Sequence, residues 1–209
     1  MAMGMNDVDS SVLPRIDEVL RRLHPTGRYE DLALGMMDHH WAEEGPSHLL
    51  NQLIAVPGVS ACLELAEFEM ERRHVLHVGR QEAPTWQEFH RLFSDEDRRK
   101  ALQEGGGSIV YWNILLSRLG PFWTSYWNEF TEQGGRIAPE LCTPPDSFEW
   151  KTVVVNVEEL LRGEGLTRVN PELLDRSVRW LLVSPEHHSR VAGGLGNPSV
   201  YYALFEDMP

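Results

Sequence analysis

Residues 111–130 repeat one spacing of large apolar side chains on either side of a glycine–proline break. On a helix of about 100° per residue, each set falls within an arc of roughly 140°, so each predicts a helix with one buried face. Gly120-Pro121 divides the two helices, because proline removes a backbone donor and clashes with the preceding turn. The first set is Tyr111, Trp112, Leu115, Leu116 and Leu119, and the second is Phe122, Trp123, Tyr126, Trp127 and Phe130.

Most of the preceding sequence also predicts helices. An amphipathic pattern runs from Val12 to Leu23, and further helices are expected over residues 29–44 and 47–56. Residues 60–78 begin with a strand-like alternation, but their content of Glu, Ala, Leu, Met and Arg favours a helix. Capping patterns at Thr85 and Ser94 open two more helices, the second of which ends at three glycines, 105–107.

The C-terminal third has a different composition. A Gly- and Pro-rich loop is expected over residues 134–150, followed by a buried strand at 152–155, a short helix to Leu161, a helix from Pro171 to Leu182 and a final strand at 199–205. The sequence therefore predicts a mainly α protein with a helical bundle-like core and a small C-terminal α+β portion. Its expected divisions are a helical domain (1–133), the connecting loop (134–150) and a mixed subdomain (151–209).

The chain is acidic. It has 19 basic and 32 acidic residues and a net charge of −13, and acidic residues are in excess in both halves. Such a surface repels phosphate backbones and anionic lipids, so we expect neither nucleic acid nor membrane as a direct ligand. No apolar run approaches the roughly 20 residues that a bilayer crossing needs, and a cytoplasmic location is expected. A basic protein is the partner that this charge favours.

Common catalytic signatures are missing from the sequence. Cys62 and Cys142 form no CxxC pair and are expected to be buried thiols. Residues 58–62 have cysteine where a nucleophile elbow requires its second glycine, and the glycines at 105–107 precede no GK[ST] motif. No catalytic residue is assigned.

A metal site is the alternative that the sequence offers. Glu71 and His74 have the ExxH spacing that helical carboxylate-bridged iron proteins use, and Glu64 and Glu67 continue the same predicted helical face. His40, on the predicted helix at 29–44, is the candidate ligand from a neighbouring helix. This hypothesis is a helical iron or manganese oxidoreductase with Glu71, His74, His40 and Glu67 as ligands.

The main hypothesis is a non-enzymatic protein of the inhibitor, immunity or adaptor type. It binds the basic surface of a partner, needs no cofactor, and gains association rate from its acidic surface. The sequence leaves its oligomeric state open. Its candidate contact residues are Glu43, Glu44, Asp95, Glu96 and Asp97.

Overall fold

A computed structural model describes residues 7–29, 45–66, 72–92, 94–183 and 197–206. The strands are β1 (Val59–Glu64), β2 (Arg73–Arg80), β3 (Ser108–Ser117), β4 (Phe122–Gln133), β5 (Arg136–Cys142) and β6 (Thr167–Arg168). The helices are α1 (Asp7–Leu23), α2 (Gly45–Ile54), α3 (Trp86–Arg91), α4 (Asp95–Glu104), α5 (Phe148–Gly163), α6 (Pro171–Leu174) and α7 (Val200–Phe205).

The centre of the molecule is a six-stranded sheet, so the predicted helical bundle is wrong. Its strands follow the order β1-β2-β3-β4-β5, with each neighbouring pair antiparallel. The two-residue strand β6 pairs in parallel with the start of β4. Helices pack on both faces of this sheet, which makes the fold a mixed α and β architecture with three layers.

The repeated apolar sets at 111–130 form strands β3 and β4 instead of two helices. Every residue of β3 from Tyr111 to Ser117 is buried, so both faces of the strand are covered and the usual apolar–polar alternation is lost. Tyr111 and Leu115 lie on one face of the sheet, while Trp112 and Leu116 lie on the other. The glycine–proline break is real, but it is the turn of a β-hairpin.

The two faces of the sheet have different covers. We call the face that carries Tyr111, Asn113 and Leu115 face A, and the face that carries Trp112 and Ile114 face B. Helices α1, α6 and α7 pack on face A around Leu115, and α3 and α4 pack on the same face around Tyr111. Helices α2 and α5 cover face B. Face A is therefore covered at its two ends by separate groups of helices.

Three further predicted elements are wrong, each because tertiary burial outweighs local pattern. Residues 60–78 contain β1 and β2 instead of one helix. The predicted strand at 152–155 lies inside α5, where Trp150, Val153, Val157 and Leu161 are buried at helical spacing. The predicted final strand is α7, with Ser199 as its N-cap. Valine lowers helix propensity by only a few tenths of a kcal/mol, less than the burial of one apolar side chain contributes.

Several local predictions are confirmed. Helices α1 and α2 form where expected, and the capping patterns at Thr85 and Ser94 open α3 and α4. Helix α4 ends at the glycine triplet, with Gly105 as its C-cap.

Other predicted elements differ in extent. The helix that begins at Pro171 ends at Leu174 instead of Leu182, and strand β5 occupies part of the predicted loop. The predicted helix at 29–44 lies almost entirely outside the described residues.

The predicted division of the chain at residues 134–150 stays a prediction. The cluster on face B joins Trp112 from before this segment with Val157 from after it, and the cluster on face A joins Ile16 with Leu204 in the same way.

Among the helices in the described part of the chain, none has the length and apolar composition that a membrane crossing requires.

The capping box of α3 yields a first stability prediction. The backbone N–H of Glu88 donates to Thr85 Oγ1 at 3.3 Å, and the backbone N–H of Thr85 donates to Glu88 Oε2 at 2.8 Å. Thr85→Ala is expected to lower the free energy of unfolding by about 1 kcal/mol, as loss of an N-cap usually does. Thr85→Ser keeps the accepting hydroxyl and is the control. Urea denaturation of the two variants measures the difference, and equal stabilities would contradict the role of the cap.

Candidate functional site

A strip of polar side chains crosses the middle of face A, between its two groups of helices. The residues from neighbouring strands are in register, since His77 lies opposite Asn113 and Asn113 opposite Tyr126. We call the following five residues the polar strip: Glu64 on β1, His77 on β2, Asn113 on β3, and Tyr126 and Asn128 on β4. Apart from Tyr126 and Asn128, which share β4, these residues are far apart in sequence, and the sheet brings them together.

Hydrogen bonds connect three members of the polar strip, and a fourth, Glu64, lies next to them. Asn113 Nδ2 donates to Asn128 Oδ1 at 2.8 Å, so Asn113 Oδ1 remains to accept from His77 Nδ1 at 2.7 Å. His77 Nε2 lies 3.2 Å from Glu64 Oε2. His77 and Asn113 are buried, at 4% and 0% exposure, while the Glu64 side chain is 67% exposed. These side chains therefore form a row that extends from the buried amide of Asn113 to the solvent-exposed carboxylate of Glu64.

Trp86 of α3 covers the buried part of the strip. Its ring stacks on the His77 ring with 4.4 Å between centroids and only 2° between planes. The His90 ring lies 4.2 Å from the Trp86 ring, and Tyr111 and Phe130 contact it edge-on. This packing holds the His77 ring with Nδ1 toward Asn113 and Nε2 toward Glu64.

The proton on neutral His77 lies on Nδ1, because an amide oxygen can only accept. Nε2 gains a proton only when the ring becomes an imidazolium, which then donates to the Glu64 carboxylate. Burial lowers the pKa of His77, and its contacts with Asn113 and Glu64 oppose this effect without cancelling it. At neutral pH the ring is therefore uncharged and forms no ion pair with Glu64.

The lowered pKa of His77 makes stability depend on pH in a defined direction. The unfolded chain binds this proton at about pH 6.5, whereas the folded protein binds it only at lower pH. The neutral His77 ring therefore favours folding above pH 6.5. This contribution to the free energy of unfolding is lost as the pH falls from 6.5 through the pKa that His77 has in the folded protein. We expect the free energy of unfolding to fall more steeply over this window in the wild type than in His77→Gln. Parallel pH profiles for the two proteins would rule out the effect.

The polar strip and its neighbours do not present an activated nucleophile. Cys62 lies opposite His77, but burial raises the pKa of its thiol, and His77 Nδ1 is bonded to Asn113 while its Nε2 faces Glu64. Burial also raises the pKa of the Tyr111 hydroxyl, which donates to the carbonyl oxygen of Pro84 at 2.8 Å. Both Cys62 and Cys142 are free. The chemistry that these groups support is hydrogen bonding and ion pairing.

The structure changes the basis of the metal hypothesis. His74 lies in strand β2, so the helical spacing assumed for Glu71 and His74 is wrong. His74 is buried, and its Nδ1 accepts from the backbone N–H of Ala66 at 3.0 Å. Glu71, Glu67 and His40 lie outside the described residues, so the ligand set itself stays a prediction. Within the described ranges, no three His, Cys, Asp or Glu side chains come together as a metal site needs.

The acidic contact residues predicted on α4 lie in its first turn. Asp95, Glu96 and Asp97 are exposed, and Asp97 takes part in the cap through Ser94, whose Oγ donates to Asp97 Oδ2 at 2.6 Å. These acids stabilise the positive end of the helix dipole. Glu43 and Glu44 lie outside the described residues.

The acidic excess is unevenly distributed along the chain. Residues 30–44 contain five acidic residues, and residues 67–71 contain three. Neither segment contains a lysine or an arginine. The described residues contain 22 acidic and 18 basic residues, which is close to balance. The charge that predicts a basic partner is thus concentrated in two short segments, one of which begins three residues after Glu64.

Sequence patterns missed the polar strip because none of its residues has a neighbour in sequence that shares its role. The one available signal was a polar Asn113 and a His77 within runs of apolar residues, which marks buried polar groups that need partners.

Comparisons of the chain with protein-family models, with curated proteins and with solved structures found no match to any of them.

Proposed function

We propose that this protein is a binding protein that recognises the basic surface of a partner protein through the exposed part of the polar strip. The observation that carries the proposal is Glu64, a carboxylate that is 67% exposed beside a buried hydrogen-bond network, with its Oε2 3.2 Å from Nε2 of His77. Neutral His77 has no proton on Nε2 and forms no ion pair with Glu64, so the carboxylate can pair with a lysine or arginine of the partner.

Exposed apolar side chains also lie on face A, on strands β4 and β5. Tyr126 is 39% exposed and Leu141, which lies opposite Asn128 on the neighbouring strand, is 77% exposed. Tyrosine is among the residues that contribute most to protein interfaces, because it combines a large apolar ring with a hydroxyl. A surface that combines a charged group with an aromatic and an aliphatic side chain is better suited to bind a protein than a small ion.

The two acidic segments add a longer-range effect. Residues 30–44 and 67–71 contain eight carboxylates and no lysine or arginine, so these segments make the electrostatic potential more negative. Such a potential increases the association rate with a basic partner, and salt weakens it. Glu43 and Glu44 belong to the first of these segments and remain proposed contact residues, as do Asp95, Glu96 and Asp97.

Affinity capture with single-site variants tests the proposed function. The immobilised protein is exposed to lysate of its source cells at low salt and at about 1 M salt, where the Debye length is only about 3 Å. We expect capture of a protein with a high isoelectric point, and loss of that capture at high salt. Purified partner should then bind Glu64→Gln or Tyr126→Ala about tenfold or more weakly than the wild type.

Matched variants separate this surface from charge and apolarity in general. Glu140→Gln removes one negative charge on face B, and Phe148→Ala removes an aromatic side chain that is 80% exposed at the start of α5. Both should bind like the wild type. Equal weakening by Glu64→Gln and Glu140→Gln would show that only net charge matters, and capture of acidic proteins alone would sink the proposal.

A further inference from the structure

A second surface feature lies at one end of the sheet, away from the polar strip. It is a cleft of about 320 Å³ between the end of β2, the C-terminal end of α4, the start of β3 and the start of α5. All of its lining residues belong to the described part of the chain. The residues that matter for its chemistry are Arg80, Glu82, Ala83, Glu104, Ile109, Val110 and Trp150.

Strands β2 and β3 separate at this cleft. Their paired register ends at Val78 and Trp112, although β2 continues to Arg80 and β3 begins at Ser108. Within the described ranges, the start of β3 therefore has a strand partner on the β4 side and none on the β2 side. Such a strand edge is a template for the main chain of another extended segment.

The cleft also favours a positive charge, because its lining contains two carboxylates, Glu82 and Glu104, and one cationic side chain, Arg80. Helix α4 ends there at Glu104 and Gly105, and its last turn contains no basic residue to offset the negative end of the helix dipole. The carboxylate of Glu104 lies 4.0 Å from Lys100, a long ion pair in which both side chains are at least 70% exposed. Across the cleft, Glu82 pairs with Arg80 at 3.2 Å.

Part of the lining of the cleft is apolar. It contains Trp150 and Ile109, which are buried, together with Ala83 and Val110. Lysine and arginine combine an aliphatic stem with a charged end, so their stem fits such a wall while the charge stays at the rim.

We infer that this cleft binds an extended basic segment of a partner protein. The segment adds its main chain to the open side of β3 at residues 108–110, and one lysine or arginine side chain enters the cleft toward Glu104 and Glu82. The basic nature of the occupant rests on the proposed function, whereas its extended form rests on the separation of β2 and β3.

Fluorescence anisotropy with a labelled peptide of alternating lysine and valine tests the inference on the full chain. The wild type is expected to bind this peptide, and Glu82→Gln combined with Glu104→Gln should weaken binding about tenfold, as loss of charged hydrogen bonds does. Ala83→Trp should do the same by filling the cleft. Glu140→Gln combined with Glu159→Gln makes the same change in net charge at exposed positions elsewhere and should have little effect.

Two further probes give decisive outcomes. N-methylation of alternate peptide bonds should weaken binding, because it removes the donors needed for pairing with β3, and a peptide with glutamate in place of lysine should not bind. Lack of wild-type binding, or equal losses in the two double variants, overturns the inference. A failure of partner capture with intact peptide binding counts against the proposed function alone.

Discussion

Trp112→Ala is expected to lower the free energy of unfolding by about 3–5 kcal/mol, the usual cost of removing a large aromatic side chain from a core. Trp112 is 1% exposed on face B and stacks on Trp127 with 5.4 Å between ring centroids. Trp123 contacts it edge-on from the same hairpin. Removal of this ring leaves a cavity at the centre of the cluster that joins the sheet to α2 and α5. Chemical denaturation monitored by circular dichroism measures the loss.

Two control variants define what Trp112 contributes. Its indole Nε1 is buried and has no hydrogen-bond partner within the described ranges. Trp112→Phe therefore keeps an aromatic ring without losing a hydrogen bond, and we expect it to cost much less than Trp112→Ala. Phe148→Ala removes a ring that is 80% exposed and should change stability by less than about 0.5 kcal/mol. A Trp112→Ala protein as stable as Phe148→Ala would show that face B is not a packed core.

Asn113→Leu is expected to destabilise the fold by about 2–4 kcal/mol, although leucine is a good core residue. Asn113 is fully buried and accepts from His77 while donating to Asn128. The substitution leaves the Nδ1–H of buried His77 without an acceptor, and each buried polar group left unpaired costs about 1–3 kcal/mol. Asn128 is half-buried, so water can replace part of its lost bond.

A double-mutant cycle tests the same network without relying on one variant. His77→Phe combined with Asn113→Leu removes both partners of the 2.7 Å bond, so no unpaired donor remains between them. The double variant should be more stable than the sum of the two single losses predicts. Strict additivity would mean that the two side chains do not interact.

Prediction from the sequence succeeded where a few adjacent residues decide the structure. The Thr85 and Ser94 caps, the end of α4 at Gly105 and the amphipathic α1 all depend on contacts within one or two helical turns. The turn at Gly120-Pro121 was also located correctly, because the restrictions of proline act on its own backbone and on the residue before it. Its type, a hairpin instead of a break between helices, was not.

The sequence by itself determined the local starts and stops of several helices, the acidic charge and the places where the chain must turn. Only the tertiary structure decided that residues 111–130 form strands, because burial on both faces removes the alternation that distinguishes a strand from a helix. It alone also assembled the polar strip, since Glu64, His77, Asn113 and Asn128 come from four strands whose register no local pattern encodes. Hydrogen bonds between distant residues depend on that register, and the burial of whole faces sets it.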